Sequence, residues 1–117
     1  MKRTICFDFD GVIHSYVSGW HGDTVIKDPV VEGIAQAIKD IRDAGYQVII
    51  QSTRCKTLNG VHAIRKYLKD NNIEVDGISS TTPPAIVYID DRAIRFDGNA
   101  ASLLEKVNSF KPWNVRE

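Results

Sequence analysis

An α/β fold with a mostly parallel, three-layer Rossmann-like sheet is predicted by three observations. Apolar, β-branched runs recur at residues 4–9, 46–51, 74–79 and 85–89. Segments with helical spacing of apolar residues stand between or after them. Polar, chemistry-bearing residues follow the ends of three runs: Asp8–Asp10, Ser52–Arg54 and Asp90–Arg92. In open parallel sheets ligands bind beyond the carboxyl ends of the strands, so those residues are expected to share one edge.

The elements follow in order. Thr4–Phe9 (TICFDF) reads as a buried strand that Asp10-Gly11 breaks. Residues 12–27 carry Gly19 and Gly22 and no helical period, and are expected to form a small flap hairpin, Ile13–Val17 against Thr24–Lys27. Asp28-Pro29 has the chemistry of a helix start, and Gly45 suits a left-handed helix end. Val30, Ile34, Ala37, Ile38 and Ile41 give that helix an apolar stripe. Tyr46–Gln51 is the second strand and Leu58–Asp70 the second helix. Glu74–Ser79 and Ala85–Ile89 are the third and fourth strands, and Ile94–Phe96 a short fifth. The link at 80–84 is too short for an ordinary crossover helix, so either a turn replaces that helix or the third strand is shorter than drawn. Asn99 is expected to cap a last helix, with Trp113 packing back on the body.

Composition narrows the classes. The 117 residues are one domain's worth of chain, 43% hydrophobic and 26% charged, which suits a globular core without disulfides. Fifteen basic residues balance fifteen acidic ones, so no global positive field draws the chain to nucleic acid or to anionic lipid. No apolar run approaches the roughly 20 residues of a membrane span. The basic start, Met1–Thr4, leads into a run broken by Asp8 and Asp10, unlike a signal peptide. Cys6 and Cys55 make no disulfide framework; Cys6 fits the core of the first strand. A single-domain, cytoplasmic enzyme without a membrane partner is the expectation.

Asp8, Asp10, Asp90 and Asp91 would converge at the sheet edge. Two unit charges ~5 Å apart repel by roughly 3 kcal/mol at an effective dielectric of ~20. Such a cluster calls for a cation or raised pKa values. Oxygen-only ligands select a hard ion, and Mg²⁺ suits a site with few protein ligands and room for water and phosphate.

Asp8-Phe9-Asp10-Gly11-Val12 after the first strand, Ser52-Thr53-Arg54 after the second and Ile89-Asp90-Asp91-Arg92 after the fourth resemble the haloacid dehalogenase superfamily. The match spans most of the chain, and its first motif is the most specific. The resemblance implies a small, capless phosphatase with an aspartyl-phosphate intermediate on Asp8 and with Asp10 as general acid and base. It implies Mg²⁺ held by Asp8, the backbone carbonyl of Asp10, and Asp90 with or without Asp91. Ser52, with Thr53 as the alternative, would bind a phosphoryl oxygen. Similar short members carry a Lys just before the fourth strand, where this chain has Thr81-Thr82-Pro83-Pro84. Arg54 and Lys56 are the first substitutes for its charge, and Arg92 the third.

The segment at 12–27 is too small for a cap domain, so the site should be open to a phosphorylated small molecule, a nucleotide or a nucleic-acid end. Ile89–Arg92 also resembles the phosphatase part of polynucleotide kinase-phosphatases. A nucleotide or polynucleotide-end phosphatase is therefore one alternative. A silent module that binds Mg²⁺ or phosphate without turnover is the other. His14, Tyr16, Trp20 and His21 in the flap are candidates for substrate contact, against the plainer role of hairpin packing. Trp20 is foremost, because an exposed aromatic can stack on a base or sugar. Zinc at His14 and His21 is disfavoured, since no Cys or third His stands at ligand spacing.

Overall fold

The computed structural model describes residues 3–114. Four strands form one parallel sheet: β1 (Thr4–Asp8), β2 (Gln47–Gln51), β3 (Gly77–Ser79) and β4 (Val87–Ile89), in the spatial order β3-β2-β1-β4. Helices α1 (Ile34–Asp43) and α2 (Leu58–Asp70) precede and follow β2, and α3 (Leu103–Ser109) follows β4. The expected α/β class with a Rossmann-like parallel sheet is what the chain adopts.

Alternation along the strands sets the core. Ile5 and Phe7 of β1 pair in register with Val48 and Ile50 of β2, so all four share a face. Ile38 of α1 and Ile64 and Leu68 of α2 belong to the same buried cluster, with Phe9 and Ile13 at its end. Tight burial of such side chains is the main favourable term, ~1.5–3 kcal/mol each. Cys6, on the opposite face, is buried as expected.

The chain reverses direction across the sheet at β1. It proceeds outward to β2 and β3, then returns to the other side of β1 as β4. Phe7 pairs with Ile89, so the next residues, Asp8 and Asp90, leave adjacent strands side by side. This is the topological switch point at which such sheets bind ligands.

Several boundaries differ from expectation. α2 begins and ends where its periodicity placed it, capped by Thr57, whose Oγ1 accepts from the Gly60 amide at 3.0 Å. Gly60 itself packs on the Arg54 carbonyl, 1.9 Å from where a Cβ would stand. α1 starts later than Asp28-Pro29. The Asp28 carboxylate is taken by Ser18, and Gly33, at φ 81°, precedes the helix instead. Gly45, at φ 99°, ends it as expected. The hairpin between Ile13–Val17 and Thr24–Lys27 does not form. Pairing is displaced: His14 bridges Val30, the Ser15 amide donates to the Pro29 carbonyl, and Val31 donates to Ile13. Residues 15–29 therefore form an irregular loop.

The link at 80–86 has no helix, and of the two alternatives for this stretch the shorter third strand is the one observed. Extended chain at ~3.3 Å per residue spans the distance between opposite sheet edges. Thr81-Thr82-Pro83-Pro84 favours that extension. Ile94–Phe96 forms no strand, and Asn99 makes no side-chain cap. Among the described residues, no helix is long and apolar enough to cross a membrane.

Candidate active site

Asp8, Asp90 and Asp91 each offer a carboxylate oxygen, and the three lie within 4.8 Å of one another. Asp8 sits at the last position of β1, and the pair Asp90-Asp91 follows β4. Asp91 comes under the turn after β1 because Gly11, at φ 87°, lacks a side chain. A Cβ there would lie 2.0 Å from Asp91 Oδ2. Burial, the neighbouring Asp90 and a carboxyl hydrogen bond with Asp91 push the Asp8 pKa up to about 7. Three hard oxygen donors at this spacing, with one held partly protonated by crowding, are a donor set that fits Mg²⁺.

Asp10 has a different environment. Its Oδ2 accepts from Arg54 Nε at 2.9 Å; its Oδ1 accepts from an Arg54 terminal nitrogen at 3.1 Å and from His14 Nδ1 at 2.8 Å. The Asp28 amide donates to His14 Nε2 at 3.1 Å, so the proton of the neutral ring belongs on Nδ1, facing Asp10. Although burial opposes it, hydrogen bonds from His14 and Arg54 hold the Asp10 carboxyl below its ordinary range. Four carboxylates were expected to converge; three do, and the Asp10 carboxylate stands apart from that trio with both oxygens engaged, although it borders the same cavity.

Arg54 is not at a phosphate-facing position. Its side chain is fully buried. Besides Asp10, the guanidinium donates to the carbonyls of Gly22, Asp23 and Val25 at 2.8, 3.0 and 3.2 Å, and lies 4.6 Å from the centre of the Trp20 ring. It ties the 15–29 loop to the base of the site. That role was not legible from a strand-end Arg, since its partners stand about thirty and forty-four positions away.

A cavity of about 190 Å³ opens above the carboxylates, bordered by Asp8, Asp10, Asp90, Ser52, Thr53, Gln51, Tyr16, Trp20 and Arg92. Ser52 Oγ accepts from the Arg54 amide at 3.2 Å, which leaves its O–H to donate elsewhere. Of the expected site residues, Asp91, Arg54, Lys56, His14 and His21 do not border this cavity. Lys56 is exposed at the end of the 3₁₀ turn Thr53–Lys56. His14 is buried among Phe9, Tyr16 and Tyr67, and His21 bonds the Ser18 carbonyl. Gln51 also borders the cavity and was not singled out; its place at the carboxyl end of the second strand, next to Ser52, is the signal that could have found it. Trp113 packs back as expected, and its Nε1–H donates to the Gly11 carbonyl at 2.6 Å.

No family model and no curated protein matches the chain. Among solved structures, a chain of a Pnkp1/Rnl/Hen1 complex is similar at 19% identity and a TM-score of 0.47, over 97% of this chain and 36% of that one. This chain spans about a third of the length of that neighbour.

Proposed function

We propose that the protein is an Mg²⁺-dependent phosphomonoester hydrolase of the haloacid dehalogenase type, acting through an aspartyl phosphate on Asp8. The reading rests above all on one observation: Asp8 stands at the switch point of a parallel sheet, within 4.8 Å of Asp90 and Asp91, with Asp10 anchored beside the same cavity.

Asp8, Asp90 and Asp91 would hold the ion. When bound, it neutralises the carboxylates and draws charge from the phosphoryl oxygens. In the first step an Asp8 oxygen bonds to phosphorus, the bond to the leaving oxygen breaks, and Asp10 gives that oxygen its proton. In the second, Asp10 takes a proton from water as the water oxygen attacks phosphorus. The bond to Asp8 then breaks and inorganic phosphate leaves. His14 and Arg54 aim the Asp10 carboxylate throughout. Ser52, with Thr53 beside it, donates to a phosphoryl oxygen. Arg92 borders the cavity while Arg54 is engaged elsewhere, so Arg92 supplies the positive charge that the absent Lys would carry.

A chromogenic phosphate ester tests the reading. Turnover is expected with Mg²⁺ and not with EDTA, and Asp8→Asn should reduce it to background. Undiminished turnover by Asp8→Asn would remove the nucleophile. Phosphate binding without turnover by the native chain would favour a silent binding module.

A further inference from the structure

We infer that Trp20 is a stacking platform for the base of a phosphorylated nucleoside, and that Arg54 keeps this platform in register with Asp10. The inference rests on the phosphatase reading and names its substrate class.

Trp20 is 52% exposed yet borders the cavity that holds Asp8 and Asp90. An exposed indole on a loop adds little to a core. Here its ring lies over the Arg54 guanidinium, 4.6 Å from the ring centre, a contact that favours this one placement. That guanidinium is fixed in turn by two contacts to Asp10 and by the carbonyls of Gly22, Asp23 and Val25, just after Trp20 in the chain. One buried cation thus joins the aromatic ring to the carboxylate assigned to the leaving oxygen. Tyr16 stands on the same rim, with its backbone at φ 61°, a conformation that costs energy in a residue other than glycine.

Size points the same way. A cavity of about 190 Å³ takes a phosphoryl group but is smaller than the ~300–1,000 Å³ of pockets that enclose a whole small molecule. The leaving group must therefore extend across the rim, where Trp20 and Arg92 are exposed. A ring already placed by such a contact loses less freedom on stacking than an unsupported one. A leaving group with a flat aromatic part next to its phosphorylated sugar uses this surface; a bare sugar or glycerol phosphate does not. Free nucleotides and the terminal nucleotide of a strand share that chemistry.

The test compares AMP, ribose 5-phosphate and a 3′-phosphorylated oligonucleotide, with the native chain, Trp20→Ala and Trp20→Phe, alongside melting curves. The native chain is expected to prefer base-bearing substrates in kcat/KM by about tenfold or more. Trp20→Ala should bring the ratio to ribose 5-phosphate near one, and Trp20→Phe should keep most of it. A native ratio near one, or a ratio that Trp20→Ala leaves intact, overturns the inference. A preference for the oligonucleotide alone assigns the platform to strand ends; a preference for both assigns it to the nucleotide itself.

Binding of AMP and ribose 5-phosphate to Asp8→Asn separates this inference from the reading beneath it. Trp20-dependent AMP binding without hydrolysis of any ester upholds the platform and sinks the phosphatase. Hydrolysis with no base preference does the reverse.

Discussion

The indole N–H of Trp113 donates to the carbonyl of Gly11 at 2.6 Å, joining the end of the described chain to the turn after β1 across 102 positions. Asn114 adds a second link, its side-chain amide reaching the Ser15 carbonyl at 3.0 Å. Gly11 lies between Asp10 in the chain and Asp91 in space, so this strap bears on the turn that sets both. Trp113→Phe removes the donor and keeps most of the packing. It should cost about 1 kcal/mol, a few degrees in Tm, with a severalfold fall in kcat. Thermal unfolding and steady-state kinetics check it; an unchanged Tm and kcat would make the strap incidental.

Gly11→Ala should be far more damaging than its one added methyl suggests. The Cβ collides with the Asp91 carboxylate, and φ 87° is unfavourable for alanine. Backbone strain at such positions is ~1–3 kcal/mol, and Asp91 must move to relieve the clash. The expected result is weaker Mg²⁺ binding by titration calorimetry together with a lowered Tm. Unaltered affinity would place Asp91 outside the metal set.

Asp8 links stability to pH and, on the proposed function, to metal. Its carboxyl titrates at about 7 in the folded, metal-free protein and near 3.8 when free. Between those values the unfolded chain has released this proton and the folded chain has kept it. Stability therefore falls as pH rises from about 4 to 7. Because Asp8 is only partly buried, the effect is taken as about 1–2 kcal/mol, below what the full shift implies. Asp8→Asn should abolish this slope. On the proposed function, Mg²⁺ should raise Tm more at pH 8 than at pH 5, since it would bind the ionised cluster. Melting curves across pH with EDTA or Mg²⁺ settle it, and equal Mg²⁺ shifts at both pH values would contradict it.

Asp10 should leave its mark on the dependence of rate on leaving group. Arg54 and His14 favour its ionised form, the state that receives a proton from water. Protonating a poor leaving oxygen needs the other state, which becomes scarcer as pH rises. The rate ratio of alkyl phosphates to p-nitrophenyl phosphate, whose leaving oxygen needs no proton, should thus fall from pH 5 to 8, because ionisation of Asp8 acts alike on both esters. Parallel profiles for both would remove Asp10 as the acid.

Arg54 should tolerate little. Arg54→Met leaves Asp10 without its two-point partner and strands the carbonyls of Gly22, Asp23 and Val25. Breaking a buried pair of this kind costs about 3–5 kcal/mol. Arg54→Lys keeps the charge but not the fork, and should lose less. Denaturant unfolding orders the variants; a Met variant as stable as the native chain would refute the assignment of Arg54 as the loop's anchor.

Where neighbours along the chain carried the information, expectation and structure agree closely. α2 needed only its apolar spacing and Thr57, and β1 only a β-branched run stopped at Asp10-Gly11. The start of α1 was misread because Asp28 has cap chemistry, yet Ser18, ten positions earlier, claims its carboxylate. The flap pairing slipped for a related reason: Pro29 offers a carbonyl to Ser15, and a short loop rich in Gly specifies its register weakly. At the site, aspartates at two strand ends were legible as a cluster. That Asp10 faces Arg54 instead of the trio was not.

By itself the sequence determined a parallel α/β sheet with carboxylates at the ends of β1 and β4, because period, breakers and strand-end chemistry are local signals. Tertiary structure alone decided the partners: Asp91 under Gly11, Arg54 between Asp10 and Trp20, and Trp113 on the Gly11 carbonyl. The reason is physical. A buried donor or acceptor takes whichever partner the packed chain brings within about 3 Å, and that choice depends on residues far apart in sequence.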